Sequence, residues 1–160
     1  MLDRNPFVVV IGGCNMDIAG FSEKTLIARD SNPGRVKTSA GGTGRNIAEL
    51  LATLGINVKL FSAVGNDAYG QEIIATTQTA GVDTQFVKVS ETHSTSVYLA
   101  VINANGEMEA AVSDMRITEL INKEWLQKHE KILEQASCII VDTNLSQDVL
   151  AHITSCYADK

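Results

Sequence analysis

Three short apolar runs constrain the fold most, because each carries β-branched residues and is stopped by glycine or aspartate. Phe7-Val-Val-Val-Ile11 ends at Gly12-Gly13, Asn57-Val-Lys-Leu-Phe-Ser-Ala-Val64 ends at Gly65, and Ser137-Cys-Ile-Ile-Val141 ends at Asp142. Runs of this kind, without strict apolar–polar alternation, belong to strands buried on both faces, as in parallel sheets. Helical patterns fill the gaps. Ile47, Leu50, Leu51 and Leu54 recur along one helical face, with Gly55 where a C-terminal cap belongs. Residues 68–80 read as a second helix, with Asp67 as N-cap and Gly81 as stop. Trp125, Leu126, His129, Ile132, Leu133 and Ala136 mark a third stripe, and Ser146 caps a fourth helix running to about Tyr157. Three parallel strands joined by helices make an α/β core.

Two stretches leave this rhythm. The first contains the turn-rich Asp30-Ser-Asn-Pro-Gly34 and the alternating Arg35-Val-Lys-Thr38. The second is a hairpin, with Thr95-Ser-Val-Tyr-Leu-Ala-Val-Ile102 turning at Asn103-Ala-Asn-Gly106 into Glu107-Met-Glu-Ala-Ala-Val112. Together they predict a small accessory sheet, a lid of residues 16–39 and 95–115 beside a core of residues 5–15, 40–94 and 116–160. Such a sheet near the carboxyl ends of core strands is placed to cover a ligand.

Composition narrows the function. A chain of 160 residues suits one domain, and its net charge of −6 argues against nucleic acid, whose binding needs clustered basic groups. The first 50 residues hold six basic against five acidic groups, so the acidity lies downstream. No apolar run nears the roughly 20 residues that span a bilayer. Residues 1–7 run straight into a strand and are expected to carry no signal peptide. Cys14, Cys138 and Cys156 show neither metal spacing nor a disulfide framework, which points to a reduced, cytoplasmic chain.

Two motifs sit where chemistry is expected. In Gly12-Gly-Cys-Asn15-Met-Asp17, directly after the first strand, Asn15 and Asp17 stand two apart on extended backbone and point the same way. A carboxylate there accepts two hydroxyl hydrogen bonds, as a vicinal diol requires; the alternative is that both side chains merely satisfy a turn. Ala40-Gly-Gly-Thr-Gly-Arg-Asn46 opens the clearest helix, its glycines admitting a ligand to free N–H groups, with Asn46 in reach of the same diol. A dinucleotide fingerprint fails, since Ile47 stands where the third glycine belongs and residues 35–40 are too polar and short for the preceding strand. No P-loop pattern occurs. Gly65-Asn-Asp67-Ala-Tyr-Gly70 reads chiefly as structure, and the isolated His93, His129 and His152 imply no metal site.

In order and spacing, Gly12-Gly-Cys-Asn15-Met-Asp17, Gly41-Gly42-Thr-Gly44-Arg-Asn46 and Gly65-Asn-Asp67-Ala-Tyr-Gly70 resemble the ribokinase-like (PfkB) family of carbohydrate and nucleoside kinases. Asp30-Ser-Asn-Pro-Gly34, Ser113-Asp114-Met115 and Asp142-Thr-Asn144-Leu145 look like its pseudouridine kinase branch. The resemblance implies a Rossmann-like α/β core under a β-sheet lid and a small-molecule nucleoside or sugar held between them. By match to the family motifs, Asn15, Asp17, Gly41, Gly42 and Asn46 bind the ribose hydroxyls and Asn144 adds a contact. Ser96, Tyr98 and Asp114 of the lid close over the base, and the lid pairs two subunits into a homodimer.

The resemblance covers only the N-terminal half of such a kinase. The family's Gly-Ala-Gly-Asp motif with its catalytic base, the Asn-x-x-Glu motif tied to Mg²⁺ and the loops around ATP fall beyond it. None of these patterns occurs here, so ATP and Mg²⁺ belong to the complete enzyme. The chain alone is expected to be inactive and, having lost neighbours for its sheet edge, marginally stable or self-associating. A sugar- or nucleoside-binding module without catalysis is the alternative.

Overall fold

The computed structural model describes residues 6–160; residue 5, the expected start of the core, and the segment before it lie outside the described residues. The elements run β1 (Val8–Ile11), β2 (Asn15–Ser22), β3 (Gly34–Gly41), α1 (Thr43–Thr53), β4 (Val58–Gly65), α2 (Ala68–Thr79), β5 (Val87–Ser90), β6 (Ser96–Ile102), β7 (Met108–Asp114), a 3-10 turn (Arg116–Leu120), α3 (Lys123–Lys128), α4 (Glu130–Gln135), β8 (Cys138–Val141) and α5 (Gln147–Cys156).

The core sheet has the order β5-β4-β1-β8 and is parallel throughout. Both faces of β1 are covered, as its unbroken apolar run demands. Val9 and Ile11 pack with Leu126, Leu133, Val149 and Ile153 from α3–α5. Val10 packs with Ala48 of α1 and Ile73 of α2 on the other side. Among the described residues the core has four strands where three were expected: β5 is a short edge strand, Val-Lys-Val-Ser, whose Val89 faces solvent. The stripe over 125–136 is also two helices rather than one, broken at His129. That imidazole meets Phe61, Phe86 and Trp125 edge-on, with centroids 5.3–5.7 Å apart.

The two insertions do form one sheet, ordered β3-β2-β6-β7, with β2 and β6 parallel and the outer pairs antiparallel. Residues 35–40, too polar to read as a core strand, lie within its edge strand β3. Met16, Ile18, Ala40 and Val97 root one face of this lid on the α1/α2 side of the core. The chain passes from core to lid within Gly12–Cys14 and returns through Gly42, so the lid springs from the carboxyl end of the central strand. No helix among the described residues is long and apolar enough to cross a membrane.

Candidate sugar-binding site

The site is built at the corner where β1 ends and β2 begins. The Gly12 N–H donates to the Phe61 carbonyl at 3.0 Å, carrying the turn past the neighbouring strand. Gly12 and Gly44 lie backbone against backbone: a Cβ on Gly44 would stand 2.7 Å from the Cα of Gly12. This contact brings the N-terminus of α1 onto the corner. No side chain among the described residues caps that helix. Instead its Arg45 N–H donates to the Gly13 carbonyl at 3.3 Å, and the positive end of the helix faces the space above the strands.

Asn15 and Asp17 begin β2, and the Asn15 amide donates to Asp17 Oδ1 at 2.6 Å. Gly41 lies across from Asn15 on β3. A side chain at Gly41 would run into the Asp17 carboxylate, so this glycine leaves the carboxylate room. On the other side, β6 sets Ser96 across from Asn15 and Tyr98 across from Asp17. Paired residues share a face, so Asn15, Asp17, Gly41, Ser96 and Tyr98 lie on one side of the lid sheet. The Ser96 hydroxyl is buried and finds no partner among the described residues. Tyr98 is half-buried, its hydroxyl donating to the sulfur of Met108 at 3.5 Å.

Asn46 and Asn144 reach the corner from the core. Asn46 is exposed in the first turn of α1, its Oδ1 accepting from Arg45 at 3.3 Å. Asn144, just past β8, donates its backbone and side-chain N–H groups to Asp142 Oδ1 at 3.0 and 2.8 Å. Asp114 is not brought to the face of Asp17. Its register partner is Val97, on the opposite face, and its exposed carboxylate pairs with Arg116 at 2.6 Å. The Arg116 hydrogen bonds hold that carboxyl down at about 2.

Three organising residues had no role assigned from the sequence, although Arg45 and Asp142 stand within quoted motifs. Asp142, buried, takes the Gly13 N–H on Oδ2 at 3.2 Å while its other oxygen orients Asn144. Arg45, also buried, donates to Thr77 Oγ1 at 2.9 Å and to the Ala40 carbonyl at 3.1 Å and pairs with Glu49, tying α1 to α2 and β3. Thr95 anchors the start of β6 through Asp67, as described below. Partial burial pushes the Asp67 carboxyl up, but hydrogen bonds from Thr95, Gly70 and Tyr69 outweigh it and hold its pKa below the ordinary value. Burial pushes the Cys14 thiol beneath the corner up to about 11, the Ser62 hydroxyl and Arg45 offsetting only part of this. A cavity of about 790 Å³ between α3 and α5 lies away from these residues. Among the described residues no three His, Cys, Asp or Glu side chains are grouped to hold a metal ion.

The pfkB family carbohydrate kinase pattern matches residues 5–159, nearly the whole chain. This chain belongs to the pfkB family. It is 42% identical over 147 residues to the pseudouridine kinase of Escherichia coli K12, an alignment spanning 92% of this chain and 47% of that enzyme. A carbohydrate kinase from Agrobacterium tumefaciens superposes with a TM-score of 0.83 at 28% identity, over 94% of this chain and 50% of the other. Ribokinase of Arabidopsis thaliana, solved with ribose and ATP, superposes at 0.81 with 19% identity, over 95% of this chain and 50% of its own. The fold is thus the ribokinase-like α/β fold, and this pfkB chain spans about half the length of the relatives it matches.

Proposed function

We propose that this chain is the substrate-holding half of an ATP-dependent kinase that transfers phosphate to the 5′-hydroxyl of pseudouridine. The observation that carries the reading is the Asp17 carboxylate. Asn15 holds it from one side, Gly41 leaves it room, and it shares a sheet face with Ser96 and Tyr98. A carboxylate so placed accepts both hydroxyls of a ribose, while Asn46 and Asn144 approach from the core. Fixing the ribose lets its 5′-hydroxyl be presented to a phosphoryl donor, which is catalysis by positioning. ATP and Mg²⁺ would supply the phosphoryl group and neutralise its charge in the complete protein, held by the C-terminal half that the pfkB relatives possess. The chain alone would bind without phosphorylating.

The same reading makes the working unit a homodimer in the cytoplasm. The lid face turned away from Asp17 carries Val36, Leu99 and Val112, which are 70%, 40% and 66% exposed. A second lid would cover them.

A thermal-shift panel with pseudouridine, uridine, ribose and Mg-ATP tests the assignment. A ligand at 100 times its Kd adds about 2.7 kcal/mol, and pseudouridine should give the largest shift. Asp17→Ala should abolish that shift while the unliganded melt stays cooperative; binding that survives the substitution refutes the diol assignment. A larger shift with ribose or uridine would move the assignment to another sugar or nucleoside. Reading the gene past Lys160 separates a kinase from a binding module, since the kinase needs a Gly-Ala-Gly-Asp motif downstream.

A further inference from the structure

Asp67 does more than a helix cap requires. A cap needs one acceptor for one N–H of its own helix, and the other caps here fit that description. Asn122 accepts from Trp125 at 2.9 Å, and Ser146 from Val149 at 3.4 Å. Asp67 Oδ1 takes the Gly70 N–H at 2.8 Å in the same way. Two more bonds leave the helix and go to a residue 28 positions downstream. Oδ2 accepts the Thr95 N–H at 2.8 Å, and Oδ1 also accepts the Thr95 hydroxyl at 2.7 Å. That hydroxyl in turn accepts the Gly65 N–H at 2.9 Å, from the end of β4.

The glycines of the motif crowd the same contact, although a main-chain oxygen lies nearer to each built Cβ, that of His93 for Gly65 and that of Gly65 for Gly70. A Cβ on Gly65 would stand 2.7 Å from both the Thr95 nitrogen and Asp67 Oδ2, and one on Gly70 would stand 3.0 Å from Thr95 Oγ1. Gly65-Asn-Asp67-Ala-Tyr-Gly70 is therefore shaped around Thr95, which is 3% exposed. Thr95 is also the last residue before β6, whose Ser96 and Tyr98 face Asn15 and Asp17. Wherever Thr95 is fixed, the far wall of the sugar site is fixed with it.

We infer that Asp67 is a positioning residue for the sugar site: by pinning Thr95 to the core it sets the height of β6, and so the placement of Ser96 and Tyr98 beside Asn15 and Asp17. This rests on the reading of that face as the ribosyl site.

The test uses the full-length protein with Thr95→Val, Asp67→Asn and Thr95→Ser. Thr95→Val keeps the α2 cap and removes only the hydroxyl. Asp67→Asn sets an N–H donor against an N–H donor whichever way its amide sits. Thr95→Ser restores the hydroxyl. Two quantities are read: the Kd for pseudouridine by calorimetry, and amide hydrogen exchange along residues 96–99 and 70–74 without ligand.

For Thr95→Val we expect about tenfold weaker binding and about tenfold faster exchange in residues 96–99, with residues 70–74 unchanged, and near-recovery in Thr95→Ser. Asp67→Asn should weaken binding at least as much. A lower melting temperature with unchanged Kd and unchanged β6 exchange would reduce Asp67 to a cap and overturn the inference. If the unsubstituted protein binds no ribosyl ligand but β6 still loosens, the sugar assignment falls and the pin to β6 stands. If it binds none and β6 does not loosen, both fall.

Discussion

Gly42 and Gly55 are both left-handed, and comparing an alanine at each isolates what the β1–β2 corner demands of its backbone. Gly55, at the end of α1, has φ of 81° with nothing within 4 Å of a built Cβ. Gly55→Ala therefore carries only the conformational penalty, roughly 1–2 kcal/mol, less the few tenths returned by a stiffer unfolded chain. Gly42 sits at φ 100°, ψ 131°, near a region essentially reserved for glycine and costing about 1–3 kcal/mol elsewhere. Its Cβ would also stand 2.7 Å from the Cα of Cys14 and 2.9 Å from the carbonyl carbon of Gly13. These are main-chain atoms and no rotamer relieves the overlap, so the β1–β2 corner itself must retreat, at about 1–3 kcal/mol for overpacking. Gly42→Ala should thus cost about 3 kcal/mol and Gly55→Ala about 1 kcal/mol. At roughly 3 °C per kcal/mol for a chain of this size, the two melts should differ by about 6 °C. Thermal unfolding of both variants measures the gap, and a pseudouridine titration adds a functional readout, because a retreat of Cys14 drags Asn15 with it. If the two melts agree within 1 °C, the close approach is not what holds the corner.

Two further outcomes follow from the core. Phe61 is fully buried, stacked on Phe86 at 4.7 Å and tilted against Trp125 at 5.3 Å; Phe61→Ala should cost about 3–5 kcal/mol in urea unfolding, and a loss below 1 kcal/mol would mean the site collapses freely. At pH 8 iodoacetamide should label the exposed Cys156 at least a hundredfold faster than Cys14, whose thiol is raised from 9.0 to about 11 and fully buried, since only the thiolate reacts. Equal labelling of the folded chain would contradict that environment.

Much of this was legible in the sequence because its signals are local. Strand β1, the cap at Asp67 and the stop at Gly81, which has φ of 92°, are each written within a few residues. The hairpin of β6 and β7 is written in its turn. What escaped depends on partners far away in the chain. Strand β5 has two apolar residues and becomes a strand only because β4 offers it an edge. Strand β3, expected within the accessory sheet, is polar because it is that sheet's edge and its residues 34–39 are exposed. The site divides in the same way. Asn15, Asp17 and Gly41 are recognisable by motif, whereas Asp142 acquires its role only when the register of β8 on β1 lays it beside Gly13. Thr95, a residue without chemistry in the linear sequence, becomes an anchor only because Asp67 has an oxygen to spare.

That register has a consequence for the chain on its own. Strand β8 pairs with β1 along one side only among the described residues, and all four of its residues, Cys138, Ile139, Ile140 and Val141, are partly exposed. The Ile139 N–H donates to the Lys160 carbonyl at 3.3 Å, which covers one group of that edge. An apolar strand with open N–H and C=O groups is a template for another strand, and nothing in it carries the lysine or proline that blunts such edges. The 160-residue chain expressed alone should therefore associate with itself as concentration rises, seen as a growing weight-average mass in sedimentation velocity. A longer chain in which a further strand pairs with β8 should show no association through this edge. A single sharp monomer boundary for the short chain at every concentration, with a cooperative melt, would show that the edge of β8 is protected without further sequence.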